Sequence, residues 1–148
     1  MPRRRLRILL ISVGILAFLV LSGLLARYLA AESLERTAVL DLLRAEAGGK
    51  PAAVVGALQG CPAACQATAR ANAAALRGPG QVTILADMSA TAYSVTGATG
   101  NTRVAWKLPG RLPTVQCVLV RRTGNPVSGI SVALLGVSPP LPLQSDCP

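Results

Sequence analysis

Cys61 and Cys65 in the run C-P-A-A-C, with Cys117 and Cys147 standing alone, are the residues whose type best suits chemistry. A close thiol pair can carry electrons, and four thiolates can hold zinc. The thioredoxin-type motif places two residues between its thiols, whereas three stand here. A four-thiolate zinc site draws on two close pairs; this chain offers one, and it has no histidine to complete a mixed site. No metal and no cofactor is therefore expected.

Other catalytic groupings fare no better. The missing histidine excludes a Ser-His-acid triad, G-x-S-x-G does not occur, and nothing places Lys50 or Lys107 beside a serine. Outside the first helical region and the tail the only carboxylate is Asp87, which stands alone at the end of an expected strand and reads as a turn residue. Gly97-Ala98-Thr99-Gly100-Asn101-Thr102 has the glycines of a phosphate loop without its lysine or following helix, so it reads as a hairpin turn. No catalytic residue is assigned, and an enzyme is not expected. Trp106, the single tryptophan, alternates with Val104 and Leu108 and is expected in the core, with a ligand-lining role as the alternative. Arg103 and Lys107 point the other way. With Arg121 and Arg122 nearby in a hairpin, they form a candidate partner-binding patch for an acidic envelope protein or an anionic envelope polymer.

These residues depend on where the chain sits. Residues 8 to 26 are 19 positions without a charge, which as a helix at ~1.5 Å per residue span about 28 Å, enough to cross a bilayer. Arg3, Arg4, Arg5 and Arg7 precede the stretch, and clustered arginines stay in the cytoplasm, so the rest of the chain is expected outside. The stretch is longer than the apolar core of a cleaved signal, and Tyr28 and Leu29 spoil the small-x-small cleavage sites. Leu24 stands where a lipobox needs cysteine. Arg27 and Tyr28 suit the outer interface. Outside the cytoplasm thiols oxidise, so two structural disulfides are expected. Three pairings are open; Cys61 with Cys65 and Cys117 with Cys147 is preferred because each joins neighbouring or terminal segments.

The expected layout is a basic cytoplasmic tip (1–7), a transmembrane helix (8–28), a helical part (29–80), an antiparallel sheet (81–138) and a proline-rich tail (139–148). Residues 29–47 are good helix formers, with Leu34, Ala38, Leu42 and Ala45 near one stripe and Val39 and Leu43 beside it. Gly48-Gly49 ends this helix, into which the transmembrane helix can run on. Pro51 opens a second helix, Pro62 a third, and Gly78-Pro79-Gly80 stops it. From residue 81 the chain turns β-branched and alternating in QVTILAD, TAYSVT, TRVAWKL, TVQCVLVRR and ISVALLGVS, which read as four or five strands. Residues 115–120 are apolar on both faces, as in a covered central strand, and Thr123-Gly124-Asn125-Pro126 turns a long hairpin. The fold class is α+β: about three helices on a curved antiparallel sheet.

Composition agrees with a small aliphatic core. Of the 51% apolar residues 24 are alanines, and only four side chains are aromatic. From Arg27 onward there are 11 Lys or Arg against six Asp or Glu, a diffuse +5 with no basic stripe of interleaved aromatics, so no nucleic-acid partner is expected. This element order, three helices and then a sheet whose last strands follow an A-W-K segment, resembles the cone-shaped domains of the nuclear transport factor 2-like superfamily over roughly residues 30–138. Its layout is similar to that of single-pass Mce-associated-type membrane proteins of actinobacteria. The resemblance implies a non-catalytic accessory or assembly subunit of the cell envelope. Two alternatives stand beside it: a small-ligand binder or enzyme using the cone cavity, and an envelope redox sensor built on Cys61 and Cys65.

Overall fold

A computed structural model describes residues 2–91, 97–125 and 127–148, apart from the side chains of residues 2, 3, 28 and 31. Residues 92–96 of the expected strand TAYSVT, Pro126 of the expected turn and the interfacial ring of Tyr28 lie outside the described residues.

The expected transmembrane helix and the first helix of the domain are one element. Helix α1 runs unbroken over Pro2–Ala47, 46 residues or about 69 Å. It is long and apolar enough to cross a membrane, and none of its most apolar window is buried in the protein. From Glu35 onward it enters the core. The buried positions are Glu35, Val39, Leu42, Leu43, Glu46 and Ala47, spaced as one face of a helix. This corrects the expected stripe: Leu34 is 50% exposed. The helix is turned so that Val39, Leu42 and Leu43 lead, which carries two carboxylates inward with them. Gly49, at φ 62°, closes α1, with Lys50 N–H bonded to the Ala45 carbonyl (3.0 Å) and Gly49 N–H to that of Glu46 (2.9 Å). A side chain at Gly49 would also collide with Arg77.

Helices α2 (Pro51–Ala57) and α3 (Ala63–Ala75) fold back against α1, burying Val54, Ala69 and Ala73. The Cys61–Cys65 disulfide staples the link between them to the first turn of α3. Four antiparallel strands follow in sequence order: β1 (Thr83–Ser89), β2 (Ala98–Lys107), β3 (Thr114–Asn125) and β4 (Gly129–Val137). The architecture is therefore α+β with an open antiparallel sheet. Val104, Trp106, Val118, Val120 and Leu134 meet the helices in one core. Residues 98–102, expected as a hairpin turn, belong to β2 and pair with residues 118–122, because β3 is long enough to offer each of them a ladder partner.

The sheet's other face is covered by the tail. Cys147 bonds Cys117, the Leu141 N–H reaches the Val115 carbonyl (2.8 Å), and Asn101 Nδ2 donates to the Pro148 carbonyl (2.6 Å). The tail thus explains how β3 can be apolar on both faces. The bond closes a loop with a sequence separation of 30, for which loop-closure entropy gives on the order of 3–4 kcal/mol. The C117A/C147A variant of the full-length protein in detergent should unfold at a lower temperature and exchange amide hydrogens faster over 139–148. Unchanged melting and exchange would show that hydrogen bonds alone hold the tail.

Candidate functional site

Glu35 is the centre of the most polar buried region. It lies on α1 one turn below Val39, where the apolar stripe begins, and faces the sheet. Its Oε1 accepts from Thr102 Oγ1 of β2 (2.5 Å), and its Oε2 accepts from Thr91 Oγ1 (2.9 Å) and from Arg122 Nε of β3 (2.7 Å). Arg122 Nη2 is also 2.7 Å from that oxygen, close enough for ion pairing but off-line for a second hydrogen bond. Both side chains are nearly sealed, at 3% and 4% exposure. Burial pushes the Glu35 carboxyl up. The bonds from Thr102, Ser89, Arg122 and Thr91 outweigh it, so the group sits below its ordinary value and is charged.

Outward from this pair opens a cleft of about 600 Å³ between α1 and β1, lined by Glu32, Arg36, Asp87, Met88 and Ser89 among others. Asp87 is inside β1, paired with Val104, and not in a turn, because the strand runs on to Ser89. Partial burial and then the charge of Glu35 push its carboxyl up, while Arg36 opposes. The cleft can hold a small polar or ionic group. Among the described residues no cluster of three or more Cys, Asp or Glu is arranged to hold a metal.

A second network lies at the other end of the stripe. Glu46 is fully buried, its Oε1 receiving Asn72 Nδ2 (3.1 Å), while Oε2 has no partner among the described atoms. Asn72 and Gln116 both donate to the Ser138 carbonyl, at 2.9 and 3.3 Å, and Trp106 Nε1 donates to Gln116 Oε1 (2.7 Å). Amide dipoles replace the cation that Glu35 enjoys. Burial therefore dominates and raises the Glu46 carboxyl to about 7.

The expected basic patch is not assembled. Side chains alternate along a strand, so Arg121 and Arg122 cannot share a face. Arg121 is exposed, and Arg122 is turned inward to Glu35. Arg103 gives its Nε to the Ser145 carbonyl (2.9 Å) and its Nη2 to that of Leu143 (2.6 Å), so it holds the tail. Lys107 is exposed at the far end of β2, eight strand positions or roughly 27 Å from Arg121. Trp106 is core, 2% exposed. All four cysteines are in disulfides. Glu35 and Glu46 went unremarked in the sequence, although they continue the spacing of Val39, Leu42 and Leu43 at both ends; Arg122 was singled out, but for a surface patch.

Comparison of the chain with family models, with curated proteins and with solved structures gives no match.

Two stability experiments follow from these networks. R122M leaves the Glu35 charge buried without its cation and should cost about 3–5 kcal/mol in denaturant unfolding of the detergent-solubilised protein, while E35L/R122M recovers part of the loss. Equal losses in the two variants would mean that the charge is not what matters there. For Glu46 the folded-state value lies above the ordinary 4.5, so the folded state holds its proton longer and stability falls as pH rises from 4.5 to about 7. At about 1.4 kcal/mol per pH unit that interval is worth about 3 kcal/mol. E46Q should flatten this decline; an identical slope in E46Q would assign it to other groups.

Proposed function

We propose that the chain is a single-pass membrane protein, N-terminus in the cytoplasm and α+β domain outside, that serves as a non-catalytic binding or assembly module of the bacterial cell envelope. The observation that carries this reading is α1 itself. Its uncharged stretch is exposed all round, four arginines precede it, and the same helix continues without a break into the domain core. A helix exposed in this way is out of place in water and at home in lipid.

Three further features support it. Two disulfides fit an oxidising compartment. The order of three helices and then an antiparallel sheet is compatible with the cone-shaped superfamily whose exported members act as accessory subunits. The polar groups around Trp106 are bonded to one another inside the core, which weighs against a ligand site there. With both close cysteines joined in a disulfide, the redox-sensor alternative also loses its reactive thiol.

The test is thiol labelling in intact cells with a membrane-impermeant reagent, with and without prior reduction, read by mass at all four cysteines. Labelling only after reduction is the expected result. Labelling that needs cell lysis would overturn the orientation, and labelling without reduction would return Cys61 and Cys65 to redox chemistry.

A further inference from the structure

We infer that the tip of the β3–β4 hairpin rests on the outer surface of the membrane that holds α1, with the Val127 side chain entering the headgroup layer. This rests on the reading of α1 as a membrane anchor. Arg27, the first charge after the uncharged stretch 8–26, donates from Nη1 to the Val127 carbonyl. The hairpin tip is thereby fixed at the level where the helix leaves the lipid.

A second contact fixes the hairpin's direction. Arg122 on β3 is bonded to Glu35 on α1. From Glu35 back to Arg27 is eight helical residues, about 12 Å. From Arg122 forward to Val127 is five residues, which extended reach about 17 Å. The strand therefore runs down α1 toward the lipid and has length enough to arrive at the depth of Arg27.

The tip is built to meet an apolar boundary. Val127 is 74% exposed. Its N–H is bonded to Asn125 Oδ1 (2.9 Å), as is that of Ser128 (2.8 Å), and its carbonyl is taken by Arg27. With these backbone groups satisfied inside the protein, inserting Val127 costs little desolvation, the condition that lipid imposes on backbone. Charge is also suitable. No carboxylate occurs between Asp87 and Asp146, so the hairpin brings no negative charge toward anionic headgroups.

The test uses full-length protein in vesicles of phosphatidylethanolamine and phosphatidylglycerol that carry nitroxide-labelled lipids. Native cysteines are paired, so a fluorophore can be placed singly through V127C, L112C or L16C. Leu112, 87% exposed, lies in the β2–β3 connection at the opposite end of β3 from the tip, and Leu16 lies in the span. Lipid nitroxides should quench the probes at 127 and 16 several-fold more than the probe at 112. Quenching at 16 with 127 behaving like 112 overturns the docked tip while leaving the anchor standing. Equal strong quenching at 127 and 112 overturns the tip-down orientation, and loss of lipid quenching at 16 removes the anchor and this inference together.

Discussion

The ion pair between Glu35 and Arg122 is the constraint on which the arrangement turns. A carboxylate and a guanidinium withdrawn from water are tolerated only when the geometry is good and the remaining lone pairs are satisfied, and here Thr91 and Thr102 supply the missing donors. That requirement ties together α1, β2 and β3 at the end of the domain nearest the apolar stretch of α1, where the aliphatic core has run out. On one side of it Val39, Leu42 and Leu43 share a core with Val118 and Val120; on the other, α1 faces the cleft beside Asp87, Met88 and Ser89 of β1 and the hairpin tip. The pair does for the base of the domain what apolar packing does for its centre, and it fixes the rotation of α1 about its own axis.

Because α1 runs from its apolar stretch into the core without a hinge, this rotation is also an orientation of the domain relative to that stretch. A flexible linker would let the domain sample many attitudes. A helix that supplies both the long apolar stretch and the central packing stripe does not, and the Arg27 bond to the hairpin tip reinforces the attitude a few turns lower. The tail acts in a similar sense on the far face. Held by Cys147 and by the carbonyls that Arg103 engages, it closes the outer surface of the sheet.

Much of this was legible in the residues. The α+β order followed from the switch at residue 81 from alanine-rich, proline-opened segments to β-branched alternation, and the glycines at 48–49 marked the end of α1. Less legible was anything that depends on which face of an element is chosen. Leu34 and Glu35 are neighbours on α1, and hydrophobicity alone favours Leu34 inside; Glu35 is inside because a guanidinium and two hydroxyls from distant segments wait there. Arg121 and Arg122 pose the same problem on a strand, where period two guarantees that one faces in and nothing local says which. Residues 97–102 misled through their glycines, since Gly100 in fact sits within β2 where Ala90 and Thr91 approach closely. In each case the deciding partner lies dozens of residues away.

The two carboxylates on the α1 stripe show how far partners outweigh burial. Glu35 and Glu46 lie on the same helix face three turns apart, and both are sealed from solvent. One meets a guanidinium and hydroxyl donors and stays charged; the other meets amides and is raised to about 7. Their linkage to folding therefore has opposite sign. The Glu35 contribution is present above the ordinary carboxyl value and lost as pH falls through its lowered one, whereas the Glu46 contribution is present in acid and lost as pH rises. The effects are also separated in space. Acid weakens the strap between α1 and the hairpin, while a rise to neutral pH weakens the far end, where Asn72 and Gln116 hold the sheet to α1 and α3. The domain is most firmly closed at both ends only in the interval between the two titrations, with the tie between α1 and the hairpin the first thing lost on the acid side.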